Sequence, residues 1–194
     1  MHPFEFYLKL GFEHIADIAA YDHILFLVAL CAVYRIEEWK KILILVTAFT
    51  IGHSITLVLV SLEIFTIPSK IIKFLIPLTI LITALHNVLG ADDAVRSIKM
   101  KRNYAMALFF GMIHGMDFSN YFKALIMDPS DILIPLLGFN VGIELGQLLI
   151  VFFIVAIAFL VLNVLKAKHR EWNLFISGAA SGMSLISMLE NSFW

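Results

Sequence analysis

The sequence predicts an all-α membrane protein: a bundle of about six transmembrane helices in one domain over residues 1–194, with the N- and C-termini outside. Three observations carry that prediction. Of 194 residues, 61% are hydrophobic and only 15% charged, where an ordinary soluble domain has roughly 45–50% and about 25%. Apolar runs bounded by charge fall near 16–34, 42–62, 71–89, 104–119, 132–162 and 173–190. Most approach the ~20 residues a helix needs to cross a hydrocarbon layer of about 30 Å. Finally, basic residues gather in alternate loops: Arg35, Lys40 and Lys41; Arg96, Lys99, Lys101 and Arg102; and Lys166, Lys168 and Arg170. Lys and Arg accumulate on cytoplasmic loops, which leaves Lys9, Lys70, Lys73 and Lys123 on the outer side.

Residues 3–14 alternate aromatic and charged positions, and residues 1–15 suit a short leader lying in the outer interface. Met1-His2-Pro3 is not a basic start, so no cleaved signal peptide is expected. The first span, 16–34, carries Asp22 and His23, the second carries Thr50, His53 and Ser54, and the third ends on His86-Asn87. The fourth holds His114 and Asp117. The fifth run is too long for one perpendicular span, and Pro135 with Gly138 suggests an interfacial or broken start. The sixth offers serines and Glu190 and reads as a structural partner. Glycines at 111 and 115, at 138, 142 and 146, and at 178 and 182 have the spacing that lets membrane helices approach closely. Cys31, the single cysteine, excludes an intrachain disulfide and a cysteine zinc cluster.

Ionisable groups inside a bilayer cost at least ~2.5–3.5 kcal/mol each on insertion scales, which makes them functional candidates. Spacing groups them into stripes: Asn140, Glu144 and Gln147 share one helix face, His114 and Asp117 are one turn apart, and Thr50 stands one turn before His53. Imidazole nitrogen with carboxylate oxygen suits zinc, nickel, cobalt or iron better than calcium or magnesium. The candidate metal-handling set is therefore Asp22, His23, His53, His86, His114, Asp117 and Glu144. His14 stands with Glu13 and Glu5 in the outer interface, where a solvated face is the plain alternative. Depth along the spans staggers these groups, with His86 nearest the cytoplasm, and reads as a path.

Four strings, HIADIAAYDHILFLVAL, FTIGHSITL, FFGMIHGMDF and GFNVGIELGQ, occur in that order between His14 and Gln147. Together they resemble the HupE/UreJ family of bacterial membrane proteins, in its branch of small members. The resemblance implies a helical bundle in the bacterial inner (cytoplasmic) membrane and a role in nickel or cobalt uptake. It also implies that His14, Asp22, His23, His53, His114 and Glu144 handle the ion. One departure is that Lys73 stands near the place of an acidic residue in the third span.

The leading expectation is therefore transport or binding of a divalent transition-metal ion, with the bilayer and the ion as partners and the metal among zinc, nickel, cobalt and iron left open. A homo-oligomer is left open too. The alternative is an intramembrane zinc hydrolase acting on a lipid or peptide, with Ser54 beside His53, although neither a Gly-x-Ser-Gly nor a His-Glu-x-x-His motif is present. A third reading takes the polar residues as joints between helices. Nucleic-acid binding is not expected, because the basic loops are already explained by orientation.

Overall fold

The computed structural model describes residues 2–18, 21–64, 67–90, 96–126 and 132–192, with the side chains of 96–99 outside that description. The predicted loop residues Arg96 and Lys99 therefore lie outside the described side chains. Every regular element among the described residues is helical: α1 (Pro3–Ala16), α2 (Asp22–Ala32), α3 (Trp39–Ser61), α4 (Ser69–Leu89), α5 (Arg96–Leu125), α6 (Leu133–Phe159) and α7 (His169–Glu190). Four helical stretches are long and apolar enough to cross a membrane: Ile36–Ser61, Ser69–Leu89, Leu133–Val164 and His169–Glu190.

The N-terminal third differs from its expected layout. In place of a leader followed by one span over 16–34, the chain forms two short helices, α1 and the 11-residue α2. Pro3 opens α1, where its missing N–H is not needed, and the His2 ring accepts the Phe4 N–H at 3.3 Å. The helix ends at Ala16, because Asp17 is extended, and α2 restarts with Asp22 in its first turn. A carboxylate there is favoured by the helix dipole. Both pieces run along α6 in the same direction. Gly138, Gly142 and Gly146 of α6 sit on the backbone or side chains of Phe4, Leu8, Phe12 and Ile15, and further along Val151 shares a buried cluster with Leu27 and Cys31 of α2. Together α1 and α2 lie end to end beside α6.

The fifth run also departs from expectation. Pro135 falls in the first turn of α6 and breaks nothing. Gly138 faces α1 across a gap that leaves no room for a Cβ, which would stand 2.7 Å from the Phe4 carbonyl oxygen. The helix stays continuous from Leu133 to Phe159 and finishes in a widened turn over Leu160–Val164.

A second glycine seam joins α3 to α5. Gly52 abuts the Leu108 carbonyl, Gly111 the Phe49 carbonyl, and Gly115 the backbone of His53. Such close approach allows Cα–H···O contacts and dense packing between backbones. α4 and α7 are held by amides: the Asn87 side chain donates to the Ala29 carbonyl at 2.6 Å, and that of Asn173 donates to the Asn87 carbonyl at 3.1 Å. At one end of the bundle Lys123 pairs with Glu63, whose backbone is left-handed at φ 59°. At the other end Asn103 donates to the Tyr34 hydroxyl at 2.7 Å.

Candidate metal centre

The interruption between α1 and α2 decides the site. It brings His14, in the last turn of α1, beside His23, in the first turn of α2, with ring centroids 4.8 Å apart. Midway along α3, His53 completes a triangle, 5.8 Å from the ring of His14 and 6.4 Å from that of His23. One ring nitrogen from each of the three lies within 4.8 Å of the others. The glycine seam adds a fourth ring. Because Gly115 rests on the His53 backbone, its neighbour His114 reaches the cluster, 5.3 Å from His23.

Burial and hydrogen bonding separate this arrangement from four histidines each held by a helix neighbour. His23, His53 and His114 are buried. Both ring nitrogens of His23 and of His53, together with Nε2 of His14 and Nε2 of His114, are buried without a hydrogen-bond partner among the described residues. A buried polar atom left unpaired costs about 1–3 kcal/mol, so six of them at one place call for an occupant. His114 alone has a local tie: Nδ1 donates to the Phe110 carbonyl at 2.8 Å, since a carbonyl can only accept. That bond leaves the Nε2 lone pair facing the cluster, as in metal-ligating histidines held by an outer hydrogen bond.

The dimensions suit a small cation. A triangle of edge 4.8 Å has its centre about 2.8 Å from each corner, and zinc–imidazole bonds are about 2.0–2.1 Å. The rings need to close by less than about 1 Å each, within the reach of small side-chain rotations. Phe118 packs on His14 at 4.1 Å between ring centroids, and Phe139 lies 5.8 Å from the same ring. These aromatic walls keep competing hydrogen-bond partners out.

The other candidate residues fall around this centre or away from it. Asp22 precedes His23, has Oδ1 buried without a partner among the described residues, and lies within electrostatic reach of Asp117. Asp117 is in turn within reach of Lys73 on α4. Glu144 is not part of the histidine cluster. Thr47 donates to its Oε1 at 2.7 Å and Thr50 to its Oε2 at 2.5 Å, which fixes the carboxylate on the α3–α6 seam, deeper along α3 than His53. His86 stands apart at the far end of α4, where its Nε2 accepts from the Arg102 guanidinium at 2.7 Å. The cluster is thus concentrated at one level of the bundle, not staggered along it. The Ser54 hydroxyl donates to the Thr50 carbonyl at 2.7 Å, an ordinary back-bond within α3.

Two features beside the cluster escaped the sequence reading. On one side, His14 lines an open recess with Glu13, Asp17 and Phe118. On the other, Phe26 stacks on Phe49 at 4.8 Å and meets Phe110 edge-on at 6.3 Å, directly beneath His114. Phe26 and Phe110 also wall a small chamber that reaches Tyr34, Thr83, Asn103 and His86. One layer of aromatic rings separates the histidines from that chamber. The advance signal for the recess was the four-residue spacing of Glu13 and Asp17 on either side of His14.

A family model described as HupE / UreJ protein matches residues 1–192. No curated protein and no solved structure matches the chain.

Proposed function

Because the chain belongs to the HupE/UreJ family, which is associated with nickel and cobalt transport, we propose that it carries a divalent transition-metal ion across the membrane. His14, His23 and His53 bind the ion, with His114 as a further donor and Asp22 supplying negative charge beside it. The observation that carries this reading is the set of six buried imidazole nitrogens, contributed by four helices, that have no hydrogen-bond partner among the described residues. Neutral imidazole suits the nickel, cobalt and zinc class, and the choice within that class depends on geometry at the bound ion.

The proposal places the chain in the bacterial inner membrane as a single domain with six passes: the interrupted α1–α2 passage, then α3, α4, α5, α6 and α7, with both termini outside. An ion arriving from the outer side reaches His14 first and exchanges bound water for imidazoles. The rings of Phe26 and Phe110 close the route onward. Their displacement opens the chamber toward His86 and the cytoplasmic face. Asp117 assists at the outer side, and Glu144 holds α3 to α6 through Thr47 and Thr50, keeping His53 in register.

The test is uptake of Ni²⁺, Co²⁺, Zn²⁺ and Fe²⁺ into proteoliposomes carrying the purified protein. At least one ion should accumulate above protein-free vesicles, and His23→Ala and His53→Ala should each abolish the excess. Uptake indistinguishable from empty vesicles for all four ions would end the proposal. Uptake untouched by both substitutions would move the site elsewhere.

A further inference from the structure

Glu5, Lys9 and Glu13 follow one another at four-residue spacing along α1, Asp17 continues that spacing one residue past its end, and all four are exposed. The opposite face of the helix, with Tyr7, Gly11 and Ile15, is buried against the bundle. Lys9 pairs with Glu13 at 3.6 Å, and both side chains remain more than half exposed, at 64% and 61%. Three carboxylates against one ammonium leave the stripe negative.

Its depth is fixed by α6. Gly146 rests on the Phe12 carbonyl and the Ile15 side chain, so Glu13 stands at the level of Gly146. The apolar stretch Leu133–Val164 is 32 residues long, or about 48 Å, and Gly146 lies about 20 Å from its start at 1.5 Å per residue. Whichever ~30 Å of that length is immersed in hydrocarbon, the level of Gly146 is inside it. Charged side chains at that depth face water or protein, not acyl chains. The Glu13 side chain is 61% exposed. The recess at the foot of the stripe is lined by Glu13, Asp17, His14 and Phe118, and the Nε2 of His14 is buried without a partner among the described residues.

We propose that the α1 stripe lines a water-filled funnel, and that Glu13 and Asp17 at its floor form a loading site for a hydrated divalent cation, which His14 then takes into the histidine cluster. This rests on the ion-carrying reading above. Carboxylates one turn apart hold a hydrated ion through its water shell, because hard oxygen donors do not require full dehydration. The imidazoles beyond are the softer donors that displace that water. Lys9, between Glu5 and Glu13, is a tethered counter-charge that keeps the stripe from retaining the ion. A negative, low-dielectric-walled cleft also raises the local cation concentration in a salt-dependent way.

Two measurements test the funnel. In a Cys31→Ala background, Glu13→Cys is reconstituted into vesicles and treated with a membrane-impermeant maleimide, with Lys166→Cys as a loop control. Labelling of Glu13→Cys is expected from one face, with Lys166→Cys labelled from the opposite face. In the second arm, Glu13→Gln/Asp17→Asn is expected to raise the KM for Ni²⁺ uptake about tenfold at low ionic strength, with the difference shrinking at high salt. A Glu13→Cys that stays unlabelled while the control reacts overturns the funnel. Its disulfide cross-linking into a dimer overturns it as well, by showing a second copy on that face. An unchanged KM in the double variant overturns the loading site. If wild-type protein moves no ion, the transport reading fails, and labelling still decides the funnel by itself.

Discussion

Replacing His53 by leucine separates an ion site from a structural joint, because the two readings give opposite signs. His53 is fully buried between Phe49 and Phe139, and both its ring nitrogens lack a partner among the described residues. A leucine of similar size fits those apolar walls and removes both polar atoms. Taking the lower figure of ~1 kcal/mol for each orphaned atom, the metal-free protein should gain about 2 kcal/mol, or roughly 4–8 °C in Tm for a chain of this size. Metal-linked stabilisation should move the other way. At an ion concentration of 100 times Kd the wild type gains about 2.7 kcal/mol; a variant whose Kd is a hundredfold weaker gains about 0.4 kcal/mol under the same conditions. The assay is thermal unfolding of purified protein in detergent, with chelator and with each ion in turn. If His53→Leu lowers Tm in chelator and leaves the ion-induced shift intact, His53 is a structural joint and the reasoning is wrong.

The glycine seams give a second expectation. At Gly115 an added Cβ would stand 2.6 Å from the His53 carbonyl oxygen, whereas Gly178 has nothing within 4 Å. Gly115→Ala should therefore cost about 1–3 kcal/mol and weaken ion binding by displacing His53, while Gly178→Ala should be neutral or slightly stabilising; equal effects on Tm would contradict the seam. The Lys123 hydrogen bond holds the Glu63 carboxyl below its usual 4.5. A depressed carboxylate contributes stability above 4.5 that is lost as pH falls through its folded value. Glu63→Gln should thus match the acidified wild type and differ from it only at higher pH, as read from Tm against pH; a constant offset down to pH 3 would rule the pair out as the cause.

The bundle was legible because membrane helices declare themselves by length and apolarity, and α3, α4 and α7 fall within a few residues of the runs read from composition. The break at Asp17 was not, because the stretch from Ala16 to Tyr34 is apolar enough to hide it. A hydropathy window averages over Asp17 and Asp22, whereas the chain responds to them individually. His23, His53 and His114 were identifiable as costly residues needing a purpose. Their meeting point was not, since it depends on Gly115 seating on His53, a contact between residues more than sixty positions apart. Glu144 was assigned to the ion because it shares a stripe with Asn140 and Gln147. Helix periodicity gives a face but not a partner, and here the partners are Thr47 and Thr50.

The break between α1 and α2 has an electrostatic consequence that an unbroken helix would lack. A continuous α-helix places no carbonyl or N–H ends along its middle. Here α1 stops beside His14, so its last turn brings the negative end of its dipole to the cluster. The first turn of α2 presents the opposite end, with no side-chain cap at Tyr21, and that positive end would repel a cation. Asp22 occupies that turn and outweighs it, since a full negative charge exceeds the ~0.5 charge of a helix terminus. Both halves then favour a cation between them, while the aromatic walls of Phe118, Phe139 and Phe26 limit dielectric screening of that preference. Half-helix ends meeting near the middle of a bilayer are a recurrent way to bind an ion that must afterwards leave, because the ends hold it through partial charges and neutral donors instead of a ring of carboxylates.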